Sequence, residues 1–535
     1  MSWQTRLRSL THQKQKSIFS ATIVLAVTFV FSALLGFLRT RFLYSIFFKC
    51  CVLDLDAYNA AFRIPDLIFK LLVTGALSAS FIPVFTSYLH KDKKQAYKMA
   101  SSVINLLLLV FIAFSVVALV FAHPLSKLIA TGFSPYQIDL MANLTRILLL
   151  AQIFFLISNF LTAILQVNQV FIIPALSPII YNLFIILGIF TLAPTFGIYG
   201  VVYGTVVGAF FHMAIQIPSV LRFGFKYSRI ADPKLPGVRE IIRLMLPRTL
   251  SLGLAEVENT VTLFFASTLA AGSISLLNLA LQLMYLPSRV FGTTVGQASL
   301  PALSKNIAKN QLEQFRNTVR KTILQSIYIA FPIAVLILIN RISIVRLAFG
   351  TKQFPWSATL LTARTLGFLT PAIVCQALIQ ILIRSFYALH DTKTPLKISL
   401  FSLVFNILSS YLLVTYTDLG IVGLAISASF GNIAQCIGLF CLFARRVDGG
   451  GWQKMLSSVN KIVLSSILAG SVSWLTIRCL DLFILDTSKT VNVALVFGIS
   501  IFTGSLSFLV FTWLFRSPEF LYIKSHFRRF FRFLS

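Results

Sequence analysis

The sequence predicts an all-α polytopic membrane protein of about fourteen transmembrane helices, forming two pseudo-symmetric six-helix lobes followed by two C-terminal helices. Three observations predict it. Of 535 residues, 57% are hydrophobic and only 12% charged, with a mean hydropathy of +0.86, where an average soluble chain carries roughly 25% charged residues. So few charges would leave large apolar patches against water. The apolar runs are also continuous, as in Ile147 to Gln166 and Val491 to Phe515, which suits helices of about 20 residues and not the alternating strands of a barrel. Finally, the cations fall in alternate loops.

Taken in order, the first residues Met1 to Lys16 are basic and polar, and the run from Ile18 is long and lacks a small-residue cleavage pattern. It reads as span 1 rather than a removed signal peptide. Further spans centre near residues 73, 110, 156, 183, 210, 257, 288, 333, 375, 406, 431, 469 and 503. Assigning Lys and Arg to alternate sides puts about 31 of the 46 on one face, including Arg6, Lys94, Arg229, Arg316, Lys393, Arg445 and Arg528. About 8 lie on the other: Arg39, Arg41, Lys49, Lys127, Arg341, Arg346, Lys352 and Lys489. The positive-inside rule then places both termini in the cytoplasm and requires an even number of spans. A net charge of +30 that follows the loops reads as topology signal and contact with anionic lipid head groups, and excludes nucleic acid as a partner.

The six cysteines lack the close pairs of a metal site, and no disulfide framework is expected. Cys50 and Cys51 are adjacent on the outer side; they read as inert small residues, with a redox role as the alternative.

An internal repeat organises the chain. Leu165 to Phe210 echoes Ala388 to Ile433, aligning Asn182 with Asn406 and Gly197/Gly200 with Gly420/Gly423 at an offset of about 223. Gly75 to Pro83 echoes Thr294 to Pro301. Six spans return the chain to its starting side, so the repeats run parallel. The domains follow: residues 1–222 as the N-terminal lobe, 223–240 as a hinge-like cytoplasmic linker with Gly224, Pro233, Pro236 and Gly237, 241–445 as the C-terminal lobe, and 446–535 as spans 13 and 14 with a basic tail.

Some cations stay inside spans, where each costs about 2.5–3.5 kcal/mol if it faces lipid. In span 2, Asn59, Arg63, Asp66, Lys70, Thr74 and Ser78 keep a helical spacing on one stripe. In span 8, Asn278, Gln282, Arg289 and Gly296 do likewise, with Arg63 matched to Gln282 and Lys70 to Arg289. Two such faces predict a hydrated central cavity of positive charge, compensated by Asp66 and by Glu256 and Glu258 of span 7, and suited to an anion such as a phosphate. Structural ion pairs, Arg63 with Asp66 among them, are the alternative. Pro65, Gly75, Gly292 and Gly296 weaken helix continuity where a transport cycle would bend it.

Enzymatic chemistry finds no support. Only 16 acids are present; Glu256 and Glu258 point to different helix sides, and no GxxxxGK[ST] motif occurs. His390 and Asp391 sit together beside Pro395, where a turn is expected rather than a catalytic pair. Asn406 and Ser410 offer neutral oxygens to a cation, without a carboxylate beside them.

The stretches LLGFLRTRFL (34–43), DAYNAAFRIPDLIFKLLVTGALSASFIPVFTSYL (56–89), LPSRVFGTTVGQASLPALSK (286–305) and RSFYALHDTKTPLKISL (384–400) resemble the MurJ (MviN) family of lipid II flippases, in the multidrug/oligosaccharidyl-lipid/polysaccharide exporter superfamily. The resemblance implies fourteen spans, alternating access through a cationic cavity, and translocation of undecaprenyl-pyrophosphate-linked peptidoglycan precursor to the outer leaflet of the bacterial inner membrane. It also implies a groove for the lipid tail at spans 13 and 14. By position, Arg39 matches a cavity arginine, Asp56 the acidic residue opening span 2, and Lys70 one of a pair of basic residues. The chain departs from the full cationic set at Ala33, Phe69, Thr74 and Gln282. The expected substrate-binding residues are therefore Arg39, Asp56, Arg63, Lys70, Gln282 and Arg289, with Arg63, Arg248 and Arg289 as replacement charge. The expectation is a monomeric transporter, not an enzyme, without cofactor, partnered by lipid II and membrane lipids. Its drive would be the membrane potential, sodium or protons. A flippase for another lipid-linked oligosaccharide and a cation-coupled small-molecule exporter are the alternatives.

Overall fold

The computed structural model describes residues 18–74, 80–288, 294–447 and 452–520. Among them the regular structure is helical throughout. Eleven helices are long and apolar enough to cross a membrane: span 1 (Thr28–Cys50), span 3 (Lys93–Val120), span 4 (Pro135–Val167), span 5 (Ile172–Thr191), span 6 (Ile198–Arg222), span 9 (Leu312–Phe349), span 10 (Trp356–Ala388), span 11 (Lys393–Tyr416), span 12 (Ile421–Arg446), span 13 (Met455–Phe483) and span 14 (Thr490–Leu514). Spans 2, 7 and 8 of the sequence reading fall outside this set for a physical reason. Span 7 (Pro236–Ser267) has 32 residues but carries charge along its length. Span 2 is divided into Val52–Ala61, Arg63–Phe69, a π-helical turn at Lys70–Thr74 and Ile82–Lys91, and span 8 into Ser273–Ser288 and Thr294–Ala308.

The chain divides between Ile274 and Ser275 into two compact units. In the first, span 6 packs on spans 4 and 5, span 5 on span 1, and the start of span 2 on span 4. Spans 5 and 6 meet backbone to backbone: a Cβ at Gly188 would lie 2.8 Å from the Gly204 Cα, the close approach that small residues permit between membrane helices. A core of Phe81, Phe85, Tyr97 and Phe160 ties the later part of span 2 to spans 3 and 4. The 223–240 segment is strapped down rather than loose. The Asn105 amide donates to the carbonyls of Ser228 and Ile230, both at 2.9 Å, and the Tyr97 hydroxyl to that of Phe223 at 2.9 Å. Span 7 packs within this unit, against the π turn, Ile82–Lys91 and span 3.

In the second unit, span 10 packs between spans 9 and 12, and spans 13 and 14 pair with each other and against span 9. Three buried polar side chains stitch that contact. The Asn340 amide donates to Ser473 Oγ at 3.2 Å, the Ser500 hydroxyl donates to Asn340 Oδ1 at 3.0 Å, and the two serine oxygens lie 2.7 Å apart. The internal repeat is visible in the backbone: Gln169 and His390 occupy the left-handed region at φ 62° and 58°, and Gly197 and Gly420 at 59° and 53°. Each of the latter opens the helix that carries the second glycine of its pair, Gly200 or Gly423.

The expectation of unpaired cysteines needs correction. The chain leaves helical geometry at Cys51 (φ −146°, ψ 49°), and there Cys50 and Cys51 join in a disulfide between spans 1 and 2.

Candidate functional site

The site is built on the interruption of span 2. Pro65 has no N–H to give the Ala61 carbonyl, so the helix breaks at Phe62. The freed carbonyl accepts the Thr145 hydroxyl of span 4 at 3.1 Å, which satisfies a buried backbone group that lipid cannot. Eight residues after the break the π-helical turn begins at Lys70; such turns recur at functional positions because they re-aim side chains.

Glu256 of span 7 closes on both cations of the stripe. It forms ion pairs with the Arg63 guanidinium and with Lys70 Nζ, the latter at 3.0 Å. Arg63 therefore pairs with Glu256 and not with Asp66, whose Oδ1 accepts the Gln152 amide of span 4 at 2.8 Å. Asn59 donates to the Tyr44 hydroxyl of span 1 at 3.1 Å. The side chains of Arg63 and Glu256 are 15% and 8% exposed, whereas Lys70 is 39% exposed. Lys70 is thus the exposed part of the cluster, and Arg63 with Glu256 forms its buried base. The Arg63 Nε has no hydrogen-bond partner among the described residues. Two cations and two carboxylates stand together here, so the stripe is an ion-pair network with one accessible ammonium, not a bare positive face.

The other expected residues divide. Arg39, half-buried in span 1, has no carboxylate within ion-pair distance among the described residues and lies in electrostatic reach of Tyr58 and Tyr181. Asp56 is buried, and its Oδ2 accepts the Gly272 N–H at 2.6 Å. It clamps the start of span 2 to the turn after span 7, where Gly272 holds φ 89°. Gln282 is half-buried in Ser273–Ser288. Arg289, Gly75, Ser78 and Gly292 lie outside the described residues. Phe69, where the resemblance implies a basic residue, packs edge-on against Phe155, which in turn meets Tyr181 and His212.

Two groups escaped the sequence reading. Gln152 stands among apolar neighbours in the middle of span 4, and its sequence position does not point to Asp66. The second is a buried network in which Ser158 Oγ lies 2.6 Å from His212 Nδ1, Gln216 Nε2 donates to Ser158 Oγ at 2.7 Å, and the Thr162 hydroxyl donates to Gln216 Oε1 at 2.8 Å. Ser158 and Thr162 lie four apart on span 4, and His212 and Gln216 four apart at the end of span 6, a spacing that could have marked facing stripes. Asn406 and Ser410 are buried, with Asn406 against Gly431 of span 12.

Asp391 is a helix-start residue. Its carboxylate accepts the N–H groups of Lys393 and Thr394 at 3.0 Å and the Thr394 hydroxyl at 2.7 Å, and pairs with Arg446. Burial pushes its acidity the other way, but those bonds and the guanidinium prevail and hold the carboxyl below the usual range. The turn expected at His390 and Asp391 is what the structure contains.

Comparison with known proteins places this geometry in a family. The family model described as lipid II flippase MurJ matches residues 43–493. A probable lipid II flippase MurJ of Bdellovibrio bacteriovorus is 26% identical over 494 residues, covering 91% of this chain and 92% of its own length. The lipid II flippase MurJ of Burkholderia cenocepacia is 25% identical over 435 residues, covering 79% and 84%. Among solved structures, a lipid II flippase MurJ in an inward closed conformation superposes with a TM-score of 0.75 at 24% identity, covering 92% of this chain and 98% of that one. An inward-facing multidrug resistance MATE family transporter of the MOP superfamily shares the fold more distantly, with a TM-score of 0.62 at 16% identity over 80% and 98%. With the family model spanning most of its length, the chain belongs to the lipid II flippase MurJ family.

Proposed function

We propose that the protein translocates lipid II, the undecaprenyl-pyrophosphate-linked peptidoglycan precursor, from the inner to the outer leaflet of the bacterial cytoplasmic membrane by alternating access. The observation that carries this reading is the family match over residues 43–493, joined within the first unit to an accessible Lys70 and to Arg39, which has no carboxylate within ion-pair distance among the described residues.

A pyrophosphate cannot enter hydrocarbon without its hydration shell. Arg39 and Lys70 replace that shell with charge-assisted hydrogen bonds while the prenyl tail stays in lipid. Glu256 competes with the phosphate oxygens for Lys70 and Arg63, so arrival of the head group exchanges one anion for another and leaves no cation bare. No bond is made or broken in the substrate. Both termini face the cytoplasm, as the loop charges require, and the protein acts as a monomer. The membrane potential acting on these charges, at about 2.3 kcal/mol per charge per 100 mV, supplies the drive; a sodium ion or proton is the competing source.

A second reading, a flippase for another lipid-linked oligosaccharide, draws on Phe69: an aromatic edge packed on Phe155 stands where the family resemblance implies a base. One experiment separates them. In a bacterium depleted of its own lipid II flippase, the wild-type chain restores growth and lipid II exposure at the outer surface, and Arg39→Ala or Lys70→Ala abolishes both at normal expression. Absence of rescue by the wild type favours the second reading, and full rescue by both variants removes the cationic site.

A further inference from the structure

The second unit carries a recess that the transport reading does not use. It has a volume of about 580 Å³ and is walled by Arg346 and Gly350 at the end of span 9, Thr351, Lys352 and Phe354 of the following turn, Trp356 and Thr359 of span 10, and Thr490 of span 14. Its lining carries two cations, Arg346 and Lys352. The Arg346 guanidinium lies 5.9 Å from the centre of the Trp356 ring and donates one bond, at 2.7 Å, to the Ser488 carbonyl. That bond engages one of its five N–H donors. Lys352 is exposed, and no carboxylate comes within ion-pair distance of either cation among the described residues. Asp486, in the turn before span 14, accepts the Ser488 N–H at 2.9 Å and hydroxyl at 2.6 Å and lies in electrostatic reach of Arg346 and Lys489, so its single negative charge offsets part of a local excess of three cations.

The backbone adds to this. Spans 10 and 14 both begin at the recess, after Pro355 and Lys489, and neither start has a side-chain cap. Two helix N-termini thus bring their free N–H groups and positive dipole ends to one place. The Thr351 hydroxyl, buried in the wall, has no hydrogen-bond partner among the described residues. These cations also stand against the general trend of the chain, because Arg346, Lys352 and Lys489 are three of the few on the side that the loop charges assign to the exterior.

We propose that this recess is a binding site for the phosphate of a lipid head group at the outer membrane face, with Arg346 and Lys352 as its ligands and the Trp356 indole as its apolar floor beside the glycerol or prenyl portion. Bidentate guanidinium bonding suits phosphate oxygens, and an indole beside a cation is the pairing that membrane interfaces favour. Two sources offer that chemistry: an anionic phospholipid of the bilayer, and the pyrophosphate of a translocated prenyl-linked substrate. The site stands on geometry; only the second source rests on the flippase reading.

The test uses the purified full-length chain in a neutral detergent, with binding of phosphatidylglycerol, undecaprenyl pyrophosphate and phosphatidylcholine each measured by native mass spectrometry. Wild type is compared with Lys352→Glu, which alters an exposed side chain, and with Arg346→Gln combined with Lys352→Gln. The double variant should weaken the occupying anionic lipid by about tenfold, equal to about 1.4 kcal/mol, and Lys352→Glu should do so in part. Phosphatidylcholine should not change, and added salt should lessen the difference. A loss confined to phosphatidylglycerol names a bilayer lipid, one confined to undecaprenyl pyrophosphate names the substrate on its way out, and a loss with both names a shared site. Equal binding of both anionic lipids by wild type and Lys352→Glu, or no binding by wild type, overturns the proposal. Failure of the wild-type chain to rescue a flippase-depleted strain, with the binding difference between wild type and the double variant intact, counts against the flippase reading alone; equal binding with rescue intact counts against this site alone.

Discussion

Replacing Glu256 with Gln should destabilise the first unit more than replacing either of its cationic partners, and the structure sets the order. Removal of the carboxylate strands Arg63, whose side chain is 15% exposed. Breaking a buried pair from one side costs about 3–5 kcal/mol, most of it the desolvation of the charge left behind. Arg63→Met is milder, because Glu256 keeps Lys70 at 3.0 Å. Lys70→Met is mildest: its ammonium, 39% exposed, forms a partly solvated pair worth roughly 0–1 kcal/mol. Combining Arg63→Met with Glu256→Gln should recover much of the single loss, since no unpaired charge stays buried. Thermal unfolding of the purified variants in one detergent, followed by intrinsic fluorescence, measures all four. Should Glu256→Gln prove no worse than Lys70→Met, or the double variant equal the sum of its singles, the shared-carboxylate network is refuted.

Two other outcomes follow from contacts in the second unit. Asp391→Asn should cost about 1–2 kcal/mol through loss of helix-start acceptors and of the Arg446 pair. Because the folded carboxyl is held below its ordinary value, its contribution is complete above about pH 4 and is lost as pH falls through the lower folded value. The acid-side drop in melting temperature should therefore be smaller in Asp391→Asn than in wild type when both are scanned from pH 6 to 3. Asn340→Leu and Ser500→Ala should each lower the melting temperature by the equivalent of about 0.6–1.7 kcal/mol, the range for hydrogen bonds between membrane helices; strictly additive losses would show that the Asn340, Ser473 and Ser500 network does not act as a unit.

Part of the site was legible because helical spacing is a local property. Asn59, Arg63, Asp66 and Lys70 repeat at 3 or 4 residues and share one stripe whatever surrounds them. The partners were not legible. Glu256 lies 193 residues from Arg63, and nothing in sequence order says that the carboxylate closing on Arg63 comes from span 7 rather than from Asp66, three residues away. Asp56 shows the same limit: its contact with the Gly272 N–H, 216 residues away, is not readable from sequence order. The disulfide of Cys50 and Cys51 depended on the local break at Cys51, which the residue types alone did not announce.

The amino-acid order by itself determined that this protein lives in lipid, that it is helical, and that its halves repeat, since hydropathy, helical period and the left-handed turns at Gly197 and Gly420 are each set within a few residues of chain. Tertiary structure alone decided which charges are neutralised and which stay open. Whether Lys70 is an accessible cation and Arg63 a buried one depends on where span 7 places a single carboxylate, and whether Arg346 and Lys352 line a recess depends on the starts of spans 10 and 14 converging on one turn. Those distances between remote segments fix the electrostatics, because ionic interaction depends on separation in space and on exclusion of water, neither of which is written in a linear order of residues.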